Sequence, residues 1–379
     1  MELSEIRQRI DETDDKLIEL FCERMDLAAE VAASKAGSGK AVLDKSRERE
    51  ILARMRAAAG DKERFANSLY NTLFALSRSY QARLLGRPSR VADEIRVALA
   101  TPRDVFPQTG TIACQGVEGG YSQMAADRMF PRGNLVYFES FEAVFAAVES
   151  GLCQFGVLPI ENSSNGSVRP VYDLMQQHRA HIVRSERLFV NHALLVKPGT
   201  TLDDIREVRS HEQALGQCSR FIEGLRGKVE VVRCTNTAEA VRQVAESDTP
   251  GLAAIGSKRS GELYGLVPLD VSIQNSENNH TRFICISREP AIYAGANRIS
   301  LILTCRHEPG SLYEVMGKFS ALGVNLLKLE SYPIVGQDFE FMFFFDLEAS
   351  VLEEGIVEML ADLEHDTESL IFLGNYAEV

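Results

Sequence analysis

The chain has 379 residues, more than a single core ordinarily organises, so two or three domains are expected. With 45% hydrophobic and 25% charged residues and a formal charge of −13, it reads as globular, and it excludes a nucleic-acid or anionic-membrane surface, which needs a net basic face. No apolar run approaches the roughly 20 residues of a membrane span, and the chain opens on an acidic, helix-like segment instead of a basic, apolar leader, so a cytoplasmic location is expected. The seven cysteines are odd in number and scattered, with no C-x-x-C pair, which points to reduced core thiols. The histidines fall in no metal-ligand pattern, and neither a metal nor a cofactor is implied.

From Leu3 to about Lys35 the apolar residues Ile6, Ile10, Leu17, Leu20, Phe21, Leu27, Ala28 and Val31 recur at helical spacing, predicting one helix near 50 Å long at ~1.5 Å per residue. Further helices are predicted over residues 45–59 and 62–85. Three helices, one much longer than a compact domain of this size requires, suggest a bundle completed by a partner chain. Arg24 and Lys35, eleven residues apart, share a face of the long helix within about 20° of azimuth and about 16 Å along the axis, a span suited to the two ends of a small dicarboxylate. Arg7 lies about 100° around from Arg24 and would have to serve a partner's site. The second helix offers Asp44, Arg47 and Glu48, and the third Ser77 and Gln81, at spacings of three and four; by periodicity alone such residues are as readily a solvated face.

Residues 86–110 carry three prolines and no sustained period and read as a linker. Beyond them β-rich runs (TIACQG, FGVLPI, HALLVK, EVRSH, VEVVRC, LAAIG, FICIS) alternate with helical ones over residues 141–150 and 238–247, an α/β pattern in which ligands gather at strand ends. Four polar clusters stand at such ends: GVEGGYSQ, PIENSSNGSV, SHEQALGQCS and NNHTRF. Singly each serves as a turn or helix cap; four in one domain favour a cleft. From about Arg298 the order strand, helix, strand, strand, helix, strand is that of a ferredoxin-like βαββαβ domain.

The run ELFCERMDLAAEVAASK, followed by VLDKSRERE and SRSYQ, resembles the all-helical chorismate mutases across residues 1–88. The resemblance implies a site of Arg24, Lys35, Asp44, Arg47, Glu48, Ser77 and Gln81, with Arg7 supplied by a partner chain. In it, Lys35 and Gln81 donate to the ether oxygen of chorismate, Glu48 with Asp44 holds the ring hydroxyl, and the arginines bind the carboxylates. The middle segment, residues 109–287 after a linker at 89–108, resembles the prephenate dehydratases, an α/β fold of two subdomains like that of periplasmic binding proteins. NNHTRF matches that family's Thr-Arg-Phe signature and PIENSSNG its Glu-Asn loop, while Val117 and Gly120 depart from its first glycine loop. The implied roles are Thr281 as donor to the leaving hydroxyl, Asn162, Gln217 and Ser210 orienting substrate, Arg282 or backbone N–H groups meeting a carboxylate, Glu161 as a further acid provided its site raises its pKa, and Phe283 lining the pocket. Residues 297–376, with EPGSLYEVMGKFSALGVNLLKLESYP, resemble the ACT regulatory domain, which implies L-phenylalanine as effector at Gly310, Ser311, Leu312, Glu330 and Ser331. Ser311 and Tyr332 stand where alanine and arginine are usual there. The domain order resembles the bifunctional P-protein family of phenylalanine biosynthesis, with chorismate and prephenate as substrates and a homodimer or higher homo-oligomer as the assembly. Two rivals remain open. A fused dehydrogenase would need a G-x-G-x-x-G that GVEGGY lacks. An amino-acid sensor built like a binding protein would have no dehydratase activity.

Overall fold

The computed structural model describes residues 2–36, 44–101, 103–225, 229–276, 278–334 and 341–379. The chain divides into two compact units, one of residues 1–90 with 308–318 and 358–366, the other of the remainder.

In the first unit α1 (Leu3–Ala36), α2 (Lys45–Ala59) and α3 (Glu63–Leu84) agree with the three expected helices. Asp44 is not a member of α2 but its cap: its carboxylate accepts from the Arg47 N–H at 3.0 Å. Burial in these helices is sparse. Ala28, Ala32, Phe74 and Ala82 are their buried apolar side chains, whereas Leu3, Ile6, Ile10, Leu17, Leu20, Leu27 and Val31 of α1 stand exposed, Leu20 to 61%. Those seven lie on one heptad seam, in which Thr13 and Arg24 take the two polar positions.

The segment read as a linker holds a helix, α4 (Arg90–Leu99), with Val91, Ala92, Ile95 and Ala98 buried along one face. The short period i, i+1, i+4, i+7 was masked by the flanking prolines. Phe106, also in this segment, is buried between Phe130 and Tyr293.

The second unit continues through β1 (Thr111–Gln115), α5 (Tyr121–Met129), β2 (Asn134–Phe138), α6 (Phe141–Glu149), β3 (Phe155–Asn162), β4 (Gly166–Ser167), α7 (Arg169–Gln177) and β5 (His181–Phe189). A second group follows: β6 (Ala193–Val196), β7 (Glu207–His211), α8 (Glu212–Gln217), α9 (Ser219–Gly224), β8 (Glu230–Cys234), α10 (Thr237–Glu246), β9 (Leu252–Gly256), α11 (Lys258–Tyr264) and β10 (Val267–Val271). The chain then returns through β11 (His280–Ser287) and closes with β12 (Arg298–Thr304), α12 (Ser311–Ala321), β13 (Asn325–Pro333), β14 (Phe341–Glu348), α13 (Ile356–Asp366) and β15 (Ser369–Glu378). The βαββαβ order of the last segment is as expected; residues 339–340 of its third expected strand lie outside the described residues.

Two sheets result. One has ten strands in the order β13-β14-β12-β15-β5-β11-β3-β1-β2, with β4 paired to β3; the other has five, β10-β6-β9-β7-β8. The C-terminal strands therefore do not form a sheet of their own. β15 runs parallel to β5, aligning Ala377 with Arg184 and Glu378 with Ser185. Gly374 makes this junction possible: its φ of +147° is open chiefly to glycine, and a Cβ there would collide with the Ile182 carbonyl. One core cluster runs across the junction, from Phe145, Leu158 and Ile284 to Ile302, Phe344 and Tyr376.

β2, β4, β5 and β10 were absent from the expected strands. β5, HIVRSERLF, hid behind its charges, each of which finds a tertiary partner. The Arg184 guanidinium stacks 4.5 Å over Phe106, Glu186 pairs with Arg128 at 2.9 Å and Arg187 with Glu378 at 2.9 Å. β11 begins at His280, three residues before the expected apolar start, so the polar groups of NNHTRF belong to the strand.

Within β11, Thr281, Arg282 and Phe283 alternate sides. A register shift against β3 opposes Arg282 to Glu161 and Phe283 to Pro159. Arg282, 5% exposed, pairs with Asp346 of β14 at 2.6 Å and Glu161 of β3 at 3.2 Å. Asp346 in turn accepts from Ser300 of β12. Removing one partner of a buried pair leaves the other charge uncompensated. Arg282→Ala should therefore cost about 3 kcal/mol or more in stability, read as a lowered urea midpoint of the second unit.

Candidate active sites

On the helical unit, Arg24 of α1 reaches α3: one guanidinium nitrogen donates to the Leu73 carbonyl at 3.2 Å and to the Ser77 hydroxyl, and the group lies 5.7 Å over the Phe74 ring. Gln81, one turn beyond Ser77, is buried to 8% exposure with its Oε1 unbonded. That is an acceptor or, with the amide turned, a donor held ready for a ligand. Glu48 receives two hydrogen bonds from Arg78 of α3, at 2.8 and 2.9 Å. Arg78, absent from the sequence expectations, is the residue that holds this carboxylate. Lys35 is half-buried at the end of α1. Two expected members stand apart: Arg47 turns outward to Glu50 at 2.8 Å, and Arg7 is exposed about 25 Å along α1 from Arg24 at ~1.5 Å per residue.

In the second unit a cleft of about 660 Å³ opens between the two sheets, lined on one side from β1, α5, β3 and α7 and on the other from His192, His211, Gln217 and Asn236. Thr281, Phe283, Asn162 and Gln217 border it, as expected. Ser210, Arg282 and Glu161 do not. The Ser210 hydroxyl, fully buried, donates to the Ile255 carbonyl at 2.6 Å and so fastens β7 to β9. Arg282 faces the opposite side of β11, and Glu161 is taken up by Arg282 and, at 3.5 Å, by Lys328.

The orientation of the polar groups follows from one turn. Asn162 Oδ1 accepts the backbone N–H groups of Ser164 and Asn165, each at 3.0 Å, which fixes that oxygen and directs Asn162 Nδ2 to Thr281 Oγ1 and Asn279 Oδ1, both at 2.9 Å. Asn279 Nδ2 then donates to Gln217 Oε1 at 3.1 Å. With that oxygen accepting, His192 Nε2 donates to it at 3.0 Å, so His192 carries its proton on Nε2. Its Nδ1 lies 3.3 Å from the Tyr121 hydroxyl, which donates to the Asn191 carbonyl at 2.9 Å. Because Thr281 Oγ1 accepts from Asn162, the threonine's own proton is left to be donated into the cleft. His192, Tyr121 and Asn279 were not among the expected site residues. A histidine directly before the apolar run of β6 was the available signal.

Among the described residues five helices, α5, α6, α7, α8 and α10, begin on the cleft, and their N-terminal ends give it a positive lining. Ser140 caps α6 by accepting from Ala143 N, and Asn236 caps α10 by accepting from Glu239 N. α5 and α7 start after Gly120 and Val168, which have no side chain able to cap. The first-turn N–H groups of α5 remain for an anion, whereas in α7 Pro170 has no N–H and the Val171 N–H donates to the Val168 carbonyl at 2.9 Å.

Compared with known proteins, residues 6–82 match the chorismate mutase type II family and residues 112–291 the prephenate dehydratase family. The bifunctional chorismate mutase/prephenate dehydratase of Escherichia coli K12 is 32% identical over 379 aligned residues, covering 98% of this chain and 95% of that protein. The chloroplastic arogenate dehydratase/prephenate dehydratase 2 of Arabidopsis thaliana is 37% identical over 277 residues, 70% of this chain and 72% of that protein. Among solved structures, the prephenate dehydratase of Arthrobacter aurescens in complex with L-Phe aligns with a TM-score of 0.64 and 26% identity, over 70% of this chain and 89% of that one.

Burial holds His192 below its usual 6.5, the Gln217 hydrogen bond opposing this only in part. A histidine lowered in the folded state takes up its proton first in the unfolded chain, so stability is retained above pH 6.5 and falls as the pH drops below it, until the folded-state value is reached. The slope from one such group approaches ~1.4 kcal/mol per pH unit. Urea midpoints of the second unit measured across this window should decline with acid, and less steeply in His192→Gln.

Proposed function

The chain belongs to the bifunctional chorismate mutase/prephenate dehydratase family and carries both activities, and we propose that each resides in one of the two sites, chorismate rearranging on the helical unit and prephenate losing water and carbon dioxide in the cleft. Among the described residues no helix is long and apolar enough to cross a membrane. The unpaired, scattered cysteines support a cytoplasmic location.

In the cleft the reaction breaks two ring bonds. The electron pair of the ring–carboxylate bond moves into the ring as carbon dioxide departs, and the ring hydroxyl leaves with one added proton as water; the aromatic ring of phenylpyruvate drives the step. The observation that carries this assignment is the Thr281 hydroxyl, which accepts from Asn162 and so keeps its own proton to polarise the leaving oxygen. Threonine is too weak an acid to give that proton up early, so it acts as a preorganised donor with the proton arriving from solvent. Thr281→Ala should lower kcat about 100-fold or more with prephenate still bound, and Thr281→Ser should keep part of the rate; full activity in the alanine variant would end the assignment. A sensor without dehydratase activity is not favoured, because the E. coli bifunctional relative aligns over 98% of this chain and 95% of its own length.

For the mutase, the arginines would bind the carboxylates, Lys35 and Gln81 would donate to the ether oxygen, and Glu48, set by Arg78, would hold the ring hydroxyl with Asp44. The exposed heptad seam of α1 supports pairing with a second copy, which would bring in that copy's Arg7. Arg47, turned toward Glu50, would have to swing inward to take part. Mixed dimers of Arg7→Ala and Arg24→Ala chains should regain part of the mutase rate, since one shared site then holds both arginines; verified heterodimers with no recovery would refute the pairing.

The C-terminal βαββαβ segment is read as an ACT module, with Gly310, Ser311, Leu312, Glu330 and Ser331 at its effector motifs. The Arthrobacter relative solved with L-Phe supports phenylalanine as its ligand. Titrating the full chain should inhibit the dehydratase with phenylalanine at lower concentration than with tyrosine. A dehydratase indifferent to both would remove the effector reading.

A further inference from the structure

Prephenate is a dianion, yet the cleft is poorly supplied with charge. Of its described lining residues Glu139 is anionic, His192 and His211 are held toward the neutral form by burial, and Arg169 is the one formal cation. Arg169 opens α7, adding a guanidinium at the positive end of that helix. No described carboxylate pairs with it; instead its guanidinium lies 5.9 Å over the ring of Tyr332, at the end of β13. Tyr332 is 8% exposed and braced by Tyr172, ring centroids 5.6 Å apart. Tyr332 is also the residue that departs from the usual arginine of the ESYP motif.

The two carboxylates of prephenate have opposite needs. The ring carboxylate must lose its charge on leaving, and a cation beside it would stabilise the ground state more than the transition state. The side-chain carboxylate keeps its charge throughout. Resting on the reading of this cleft as the dehydratase site, we propose that Arg169 binds the side-chain carboxylate of prephenate, the one retained in phenylpyruvate, and that the Tyr332 ring positions Arg169 for it.

The test measures prephenate KM, kcat and product inhibition by phenylpyruvate in the full chain, with mutase rate and urea midpoint as controls of folding. Arg169→Ala should raise KM about tenfold or more, weaken phenylpyruvate inhibition by a similar factor and leave kcat within about threefold, the pattern of a uniformly bound group. Tyr332→Ala should raise KM a few-fold, an effect absent when Arg169 is already alanine, and Tyr332→Phe should behave as the parent. An unchanged KM in Arg169→Ala would overturn the proposal. So would a raised KM with phenylpyruvate inhibition intact, since that would place Arg169 on the departing carboxylate. A Tyr332→Ala effect that persists beside Arg169→Ala would overturn the positioning role. Failure of the dehydratase reading itself would look different: no turnover of prephenate in the parent chain.

Discussion

The alternation of a single buried strand governs the second unit. β11 lies between β3 and β5, and successive side chains of a strand must point to opposite faces. Thr281 and Phe283 therefore look into the cleft while Arg282, between them, looks toward Asp346 and Glu161. Candidate donor and structural anchor are consecutive residues. Whatever shifts the register of β11 by one position exchanges them, which ties the chemistry of the cleft to the packing of the C-terminal strands.

That tie has a second strand in it. Lys328 of β13 donates to Ser167, at the cleft edge, at 2.6 Å and to Tyr172 at 2.9 Å, and pairs with Glu161 and Glu330. Because the C-terminal strands extend the same sheet through β15 and β5, they and the cleft share one core and move as packed neighbours. A ligand that favours one arrangement of those strands would change the cleft by its differential affinity for that arrangement, with no separate relay required.

The helical unit shows the opposite economy. Its three helices bury little of their apolar surface within one chain, and the longest presents a seam of seven apolar side chains to solvent. A helix of 34 residues cannot owe its stability to propensity alone. A second copy of the same helix covering that seam would satisfy the hydrophobic requirement, while Arg24, at a polar position within it, is turned to α3.

Much of this was legible in the sequence because it is written in short-range physics. Helical period set α1, α2 and α3; alternation and turn residues marked most strands; the runs around Thr281 and Asn162 identified the cleft. What sequence could not supply were properties decided by partners far along the chain. Charged β5 reads as a strand only once Phe106, Arg128 and Glu378 partner its side chains, and α4 emerges from a proline-flanked segment because a core awaits Val91 and Ile95. Ser210, Glu161 and Arg282 have the right chemistry for a substrate, and only tertiary pairing assigned them to structure. Local pattern determines which elements form and which residues can do chemistry. Which of those residues meets the substrate depends on the faces that the folded sheet leaves open, and no spacing along the chain encodes that.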